Sequence, residues 1–242
     1  MKIYVTDGSA TGFYTAVFDA YTQKDCTITS QKDVQLSFDS ELVYVKNDEE
    51  KCERVRSGIY AIDSEADGDI MLVLRSCDPL KEQTALEYIR LVFAHKRSVK
   101  KMMQLPVVIE FNEIIGKVTG EVHKLKGFLR FMESADGALY APYSPDNDIT
   151  DLLMPHFAAR LSSERFVIHD LKRKVAGMYN GHEWIMCEAG EAEIYLSEYE
   201  RTFENLWKKY YKSVNIESRP HEKQMKGYMP VRYWKYLPEK KI

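Results

Sequence analysis

The chain has few cysteines, and they lie far apart. Cys26, Cys52, Cys77 and Cys187 include no close pair with the spacing of a zinc knuckle or an iron–sulfur site. We expect reduced thiols in a cytoplasmic protein. No apolar run approaches the ~20 residues that a membrane-spanning helix needs. The N-terminus also lacks the charged and then apolar order of a secretory signal, so we expect neither a membrane protein nor an exported one.

Common catalytic and cofactor motifs are also lacking. The sequence has no serine or cysteine nucleophile elbow, no phosphate-binding Gly-Lys-Ser and no adenosylmethionine motif. Residues 7–12 follow a short predicted strand and precede a helix, which is where a phosphate-binding turn would stand. Their spacing matches neither common fingerprint and Asp7 has the wrong charge, so a structural turn is favoured. The sequence predicts no cofactor.

What the chain does have is a marked separation of charge. Residues 1–70 contain 14 Asp and Glu against 7 Lys and Arg, whereas residues 207–242 contain 10 Lys and Arg against 3 Glu. The second segment also carries seven Tyr and Trp residues. Cationic side chains neutralise phosphates and aromatic rings stack on unpaired bases, so this tail predicts a nucleic-acid partner. The alternative is a strap whose aromatic residues pack onto the domain.

Hydrophobic periodicity divides the chain into two parts. Residues 1–84 are predicted to form an acidic α/β subdomain, with a first strand at 1–5 and further strands in the apolar runs 42–45 and 70–74. Residues 85–242 are predicted to form a domain that ends in the basic aromatic tail. Its pattern after residue 104 is helix, two strands, helix, three strands, helix. The first two strands are predicted at 127–131 and 139–143 around the turn signal Asp136-Gly137, and Asn180-Gly181 predicts a hairpin between the last two strands, 174–179 and 182–187. We therefore predict an α+β fold, with an antiparallel sheet of about five strands packed with helices and a smaller α/β N-terminal part.

Four polar side chains are candidates for acid–base chemistry: His123, His156, His169 and Asp170. His156 precedes Arg160 by one helical turn, which would present a cationic pair on one face. His169 and Asp170 are neighbours in a predicted strand and so point to opposite faces. Asp170 is expected to cap the turn that follows. No short ligand spacing supports a metal site, and a hydrogen-bonded structural role is favoured for each histidine.

Several segments together resemble a bacterial family labelled probable DNA metabolism protein. The similarity is close from about residue 85 to the end and loose before it. The matching segments are 123–131 (HKLKGFLRF), 155–157 (PHF) with Arg160, 167–170 (VIHD) with Lys172 and Arg173, Trp207 with Tyr210, 214–216 (VNI) with Arg219, and Met229-Pro230 with Arg232, Tyr233 and Trp234.

The resemblance implies a DNA repair or modification context. The family is similar to genomic partners of a radical S-adenosylmethionine protein thought to modify or repair DNA, and a similar domain occurs fused to uracil-DNA glycosylase-like domains. It supplies no catalytic residues to carry over.

We therefore expect a cytoplasmic accessory protein that binds single-stranded or damaged DNA and supports a partner enzyme. Tyr233 and Trp234 would stack on bases. The predicted phosphate contacts are Arg130, Arg160, Lys172, Arg173, Arg232 and Lys235. One alternative is an enzyme that acts on nucleic acid through His123, His156, His169 and Asp170. The other is a protein-interaction module whose basic tail docks an acidic partner.

Overall fold

The fold is taken from a computed structural model that describes residues 1–31, 40–190, 197, 200, 202, 204–206, 209, 226–227 and 229–237. The described chain divides into two compact units, residues 1–119 and 120–242, and the boundary falls within one long helix. The predicted segments 1–84 and 85–242 do not coincide with these units and stay a prediction about domains. The predicted final helix and most of the tail lie outside the described residues.

The first unit is built on a three-stranded parallel sheet. Its strands are β1 (Lys2–Val5), β2 (Cys26–Thr29) and β3 (Glu41–Tyr44), in the spatial order β2-β1-β3. The helices are α1 (Ala10–Ala20), α2 (Glu49–Ile62), α3 (Ala66–Leu74), α4 (Lys81–His95) and the start of α5 (Pro106–Phe128). A stacked pair of rings, Tyr88 on Phe111, lies in the buried core of this unit, with ring centroids 3.7 Å apart.

The turn at residues 7–12 has a structural explanation, as the sequence favoured. Ser9 caps α1 by accepting a hydrogen bond from the Gly12 amide, and Asp7 accepts from the Ser9 amide and from Asn47. A Cβ on Gly12 would overlap the Asp7 carboxylate and would lie 2.9 Å from the Asn47 side-chain oxygen. Glycine is therefore needed here because two polar side chains approach the backbone closely.

The second unit is built on a five-stranded sheet. It comprises the end of α5, then β4 (Met132–Glu133), β5 (Leu139–Tyr143), α6 (Thr150–Arg160), β6 (Phe166–Asp170), β7 (Val175–Tyr179), β8 (Trp184–Glu188) and a 3₁₀ helix at Val231–Tyr236. The strand order is β4-β5-β6-β7-β8. Three neighbouring pairs are antiparallel, whereas β5 and β6 are parallel because α6 carries the chain back between them.

The predicted α+β class is confirmed, but the five-stranded sheet is mixed and not wholly antiparallel, because β5 and β6 are parallel. Two local predictions also need correction. The apolar run at 70–74 belongs to α3 and not to a strand. A short apolar run does not distinguish a strand from a buried helix, and here Ile70 and Val73 are both buried on one helix face. The predicted strand at 127–131 is also wrong, because α5 continues to Phe128 and the short β4 begins only at Met132.

One helix prediction is confirmed only in part. The apolar stripe of α5 is buried, with Val108, Phe111 and Val118 inaccessible to solvent. The sequence also predicts a stripe of small and polar residues beside it, Asn112, Gly116, Thr119 and His123, along which another group could approach the helix closely. A Cβ placed on Gly116 would meet nothing within 4 Å, whereas the Asn112 side chain of the same stripe donates to the Lys100 carbonyl at 3.1 Å.

Candidate nucleic-acid interface

The loop at residues 144–148, which joins β5 to α6, is held by a buried carboxylate of α5. Glu121 accepts hydrogen bonds from the Asp146 amide at 2.9 Å and from the Asn147 amide at 2.9 Å. It also accepts one from the Asn147 side chain at 2.7 Å. Burial opposes the ionisation of Glu121, but the bonds from Tyr233 and the loop outweigh it and lower the pKa of this carboxyl. Glu121 therefore anchors the loop as a charged acceptor.

The 3₁₀ helix of the tail is fastened to the same carboxylate. The Tyr233 hydroxyl donates to Glu121, and Arg232 pairs with Asp146 at 2.8 Å. The Arg232 guanidinium also stacks over the Tyr233 ring, 4.7 Å from its centroid. Tyr233 is only 2% exposed, so its ring is not open to a base, contrary to the predicted stacking role. Arg232 remains 49% exposed and keeps one side toward solvent.

Asp170 and Arg173 hold the loop from the sheet side. Asp170 is fully buried, and one of its oxygens accepts hydrogen bonds from the backbone amides of Lys172 and Arg173. It thereby caps the turn after β6. Its other oxygen pairs with the Arg173 guanidinium at 2.9 Å. Arg173 also donates to the carbonyls of Pro145 and Asp146. The expected turn-capping role of Asp170 is confirmed, and the Arg173 guanidinium is already engaged by three groups of its own chain.

The four candidate acid–base residues do not form one site. His169 is buried and its Nδ1 lies 2.8 Å from the Tyr140 hydroxyl, whereas His123 is exposed on α5. No hydrogen bond or ion pair joins His123, His156, His169 and Asp170 to one another, and all four belong to the described residues. Across the described ranges, no group of three or more His, Cys, Asp or Glu could hold a metal ion.

A cationic cluster forms where α5 and α6 end. Lys126 of α5 and Arg160 of α6 both lie close enough to His156 of α6 to influence its ionisation. Burial lowers the pKa of His156 first, and the positive charges of Lys126 and Arg160 lower it further. The imidazole Nε2 is out of contact with solvent and has no hydrogen-bond partner. We call Lys126, His156 and Arg160 the basic corner. Arg130 follows α5 and donates to the Gly127 carbonyl at 2.9 Å.

The basic corner has two physical interpretations. Lys126 and Arg160 stand in the last turns of their helices, where positive charge stabilises the carbonyl ends. However, two cations that both disfavour protonation of the histidine between them repel one another as well. A phosphate at the corner would relieve that repulsion and would accept charge-assisted hydrogen bonds. The arrangement can therefore bind an anion. Neither Lys126 nor Arg160 has an ion pair with a described residue.

The remaining predicted contacts are spread over the second unit. Lys172 is exposed on the turn after β6. Lys235 lies over the Tyr236 ring, 4.8 Å from its centroid, and the half-buried Trp234 donates from its indole to the Met229 carbonyl at 3.0 Å. Sequence reasoning missed Glu121 and Lys126. Lys126 stood inside a matching segment, whereas a single glutamate on a helix gave no signal that it would be buried.

The comparisons with known proteins add a family but no activity. Residues 79–239 match a family model described as a domain of unknown function, DUF4130. No curated protein and no solved structure matches the chain. In the part of the chain that the structure describes, every helix is too short or too polar to cross a membrane. The four cysteines form no disulfide.

Proposed function

The chain belongs to the DUF4130 family, whose function is unknown, and we propose that it is a DNA-metabolism accessory protein that binds single-stranded or damaged DNA. The basic corner is the observation that carries this proposal. Lys126 and Arg160 stand in the last turns of two helices, and both lower the pKa of His156. Such a cluster is suited to a phosphate, and phosphate contacts supply most of the affinity of sequence-independent binding.

The second support is the spacing of cations along α6. Arg232 pairs with Asp146 just before this helix begins, and the basic corner lies near its end. From Thr150 to Arg160 the ten steps of α6 extend over about 15 Å. A strand that followed α6 in a duplex-like conformation, with phosphates ~3.4 Å apart along the axis, would therefore place about four phosphates along this distance. Lys172 and Lys235 are exposed and would add contacts outside this stretch.

The partner and the location are also part of this proposal. The resemblance described above supports a radical S-adenosylmethionine protein as the enzyme that this chain assists, in a repair or modification process that also involves uracil-DNA glycosylase-like domains. We place that process in the cytoplasm, to which the four free thiols are suited. The chain would present DNA to the enzyme and would not itself perform the chemistry.

The direct test measures fluorescence anisotropy of labelled single-stranded and duplex oligonucleotides across a salt series. A Lys126→Gln/Arg160→Gln variant should bind single strands more weakly, and its plot of log affinity against log salt should be shallower by about 1.4, since each lost phosphate contact accounts for ~0.7. Lys24→Gln/Lys46→Gln is the matched control, because it removes the same charge from exposed lysines of the first unit.

A second test measures the pKa of His156. A bound phosphate should raise the pKa of His156, which the two cations now lower, and NMR titration with and without oligothymidine measures this shift. The proposal fails if the unmodified protein shows no binding at low salt. It also fails if the control variant loses as much affinity as the Lys126 and Arg160 variant.

A further inference from the structure

Strand β8 stands at the edge of the five-stranded sheet. It pairs with β7 along Trp184–Glu188, and the described part of the chain places no strand on its other side. An edge strand leaves a row of backbone donors and acceptors available for another chain. Proteins usually protect such an edge with charged residues, proline or a bulge. Positions 184–187 of β8 carry none of these, since they read Trp-Ile-Met-Cys.

The hydrogen-bond pattern of the β7–β8 hairpin shows which backbone groups face outward. Asn180 donates to the Glu183 carbonyl, and Ala189 donates to the Lys174 carbonyl. Hydrogen-bonded and non-hydrogen-bonded pairs alternate between these two points in an antiparallel ladder. Ile185 therefore bonds to β7, whereas the N–H and C=O groups of Trp184, Met186 and Glu188 point away from it. In the part of the chain that the structure describes, three residues thus present backbone groups without a partner along one line.

The side chains of β8 are apolar and exposed on both faces of the sheet. Trp184 and Met186 lie on one face and are 37% and 40% exposed. Ile185 lies on the other face, 59% exposed, beside the exposed Met178 of β7. A partner strand that covers this edge must therefore be apolar on both of its own faces. β8 itself has that property.

We propose that β8 pairs with β8 of a second copy of this chain and joins two sheets into one of ten strands. A two-fold axis perpendicular to the sheet at Met186 gives antiparallel pairing of the outward-facing residues. Trp184 then lies opposite Glu188 of the partner subunit, and Ile185 lies opposite Cys187 of the partner subunit. The three outward-facing residues of each chain form about six hydrogen bonds.

Charge favours this register and a second copy as the occupant. Within residues 184–188 the only charged side chain is Glu188, and the two-fold axis sets it against a tryptophan and not against another acid. A register centred on Glu188 would oppose two carboxylates. The contact is short, well below the ~800 Å² per partner of stable interfaces, so association is expected to be weak and to depend on concentration.

Sedimentation velocity on the full chain over a concentration series tests the pairing. We expect a monomer–dimer equilibrium that Met186→Pro abolishes and Met186→Leu retains. Proline removes an N–H that points away from β7, so the β7–β8 ladder keeps its bonds and the edge alone is blocked. Circular dichroism checks that the proline variant is folded.

A crosslinking experiment gives an answer even if the proline variant does not fold. In a Cys77→Ser/Cys187→Ser background, Met186→Cys should form a disulfide dimer on mild oxidation, because hydrogen-bonded partners have Cα atoms about 5.5 Å apart. Met178→Cys, equally exposed but one strand inward, should not. A chain that remains monomeric at every concentration, or a dimer that Met186→Pro leaves intact, would overturn the proposal, as would equal crosslinking from position 178.

Discussion

Removing the Tyr233 hydroxyl should destabilise the second unit measurably. This hydroxyl donates to Glu121, a carboxylate that is almost fully buried and charged. A hydrogen bond to a charged group contributes about 1.5 to 3 kcal/mol, so Tyr233→Phe should lower the free energy of unfolding by about 2 kcal/mol at neutral pH. Urea denaturation of the two proteins side by side measures the difference.

Tyr236→Phe is the matched control for this prediction. It removes a tyrosine hydroxyl from the same 3₁₀ helix, three residues further on. The Tyr236 hydroxyl makes no hydrogen bond to a described residue, so none is lost. A change of less than about 0.5 kcal/mol is expected there. If the two variants were destabilised equally, the bond between Tyr233 and Glu121 would not be what fastens the tail.

The pH dependence gives this prediction a second and independent test. The native pKa of Glu121 lies below its ordinary value of 4.5, so the stabilisation that depends on its charge is fully present above that value. It is lost as the pH falls through the lower native pKa. The difference in the free energy of unfolding between Tyr233→Phe and the unmodified protein should therefore become smaller on acidification. A difference that stays constant through this range would refute the assignment of a charged acceptor.

Two further substitutions test the packing of the sheet. Gly177→Ala should destabilise by about 1 to 3 kcal/mol in thermal or urea melts, because its Cβ would overlap the Met154 sulfur and lie 2.8 Å from its Cγ. In Gly120→Ala of α5 the new Cβ meets nothing within 4 Å, so this control should raise the free energy of unfolding by about 0.5 to 1 kcal/mol. Equal losses of stability in the two variants would contradict the close packing of Met154 on Gly177. Asp170→Asn should lower the free energy of unfolding by about 3 to 5 kcal/mol, because it leaves Arg173 without its buried charged partner. Unchanged stability in the same melts would mean that other groups hold the turn.

The layered architecture was readable from the sequence because local signals agreed with one another. Asn180-Gly181 predicted the β7–β8 hairpin, and Asp136-Gly137 predicted the β4–β5 turn, where Gly137 has a φ of +78°. The parallel pairing of β5 and β6 had no local signal. Both strands follow the same alternating pattern as their antiparallel neighbours, and only the return of the chain through α6 sets their direction.

The candidate site was predictable in composition but not in arrangement. Motif membership identified His156 and Arg160, which the structure brings to one corner with Lys126. It also identified Arg130, whose printed bonds are to its own segment at Gly127. It also placed His123, His169 and Asp170 together as one acid–base set, although each has a different environment. Spacing along a chain shows which residues share a helix face, but a contact between α5 and α6 depends on how whole elements pack.

The predicted phosphate contacts separate into two groups once their partners are known. Arg173 and Arg232 hold the loop at 144–148 through Asp170, Asp146 and the loop carbonyls, so a phosphate would have to compete with bonds that stabilise the fold. Lys126 and Arg160 have no such partner among the described residues. Charge-reducing substitutions should therefore have opposite signatures: at the basic corner affinity falls while stability is kept, whereas at Arg173 stability falls first. Salt-dependent binding and melting of the same variants would separate the two groups, and a stable Arg173→Gln variant with a specific loss of DNA affinity would show that this division is wrong.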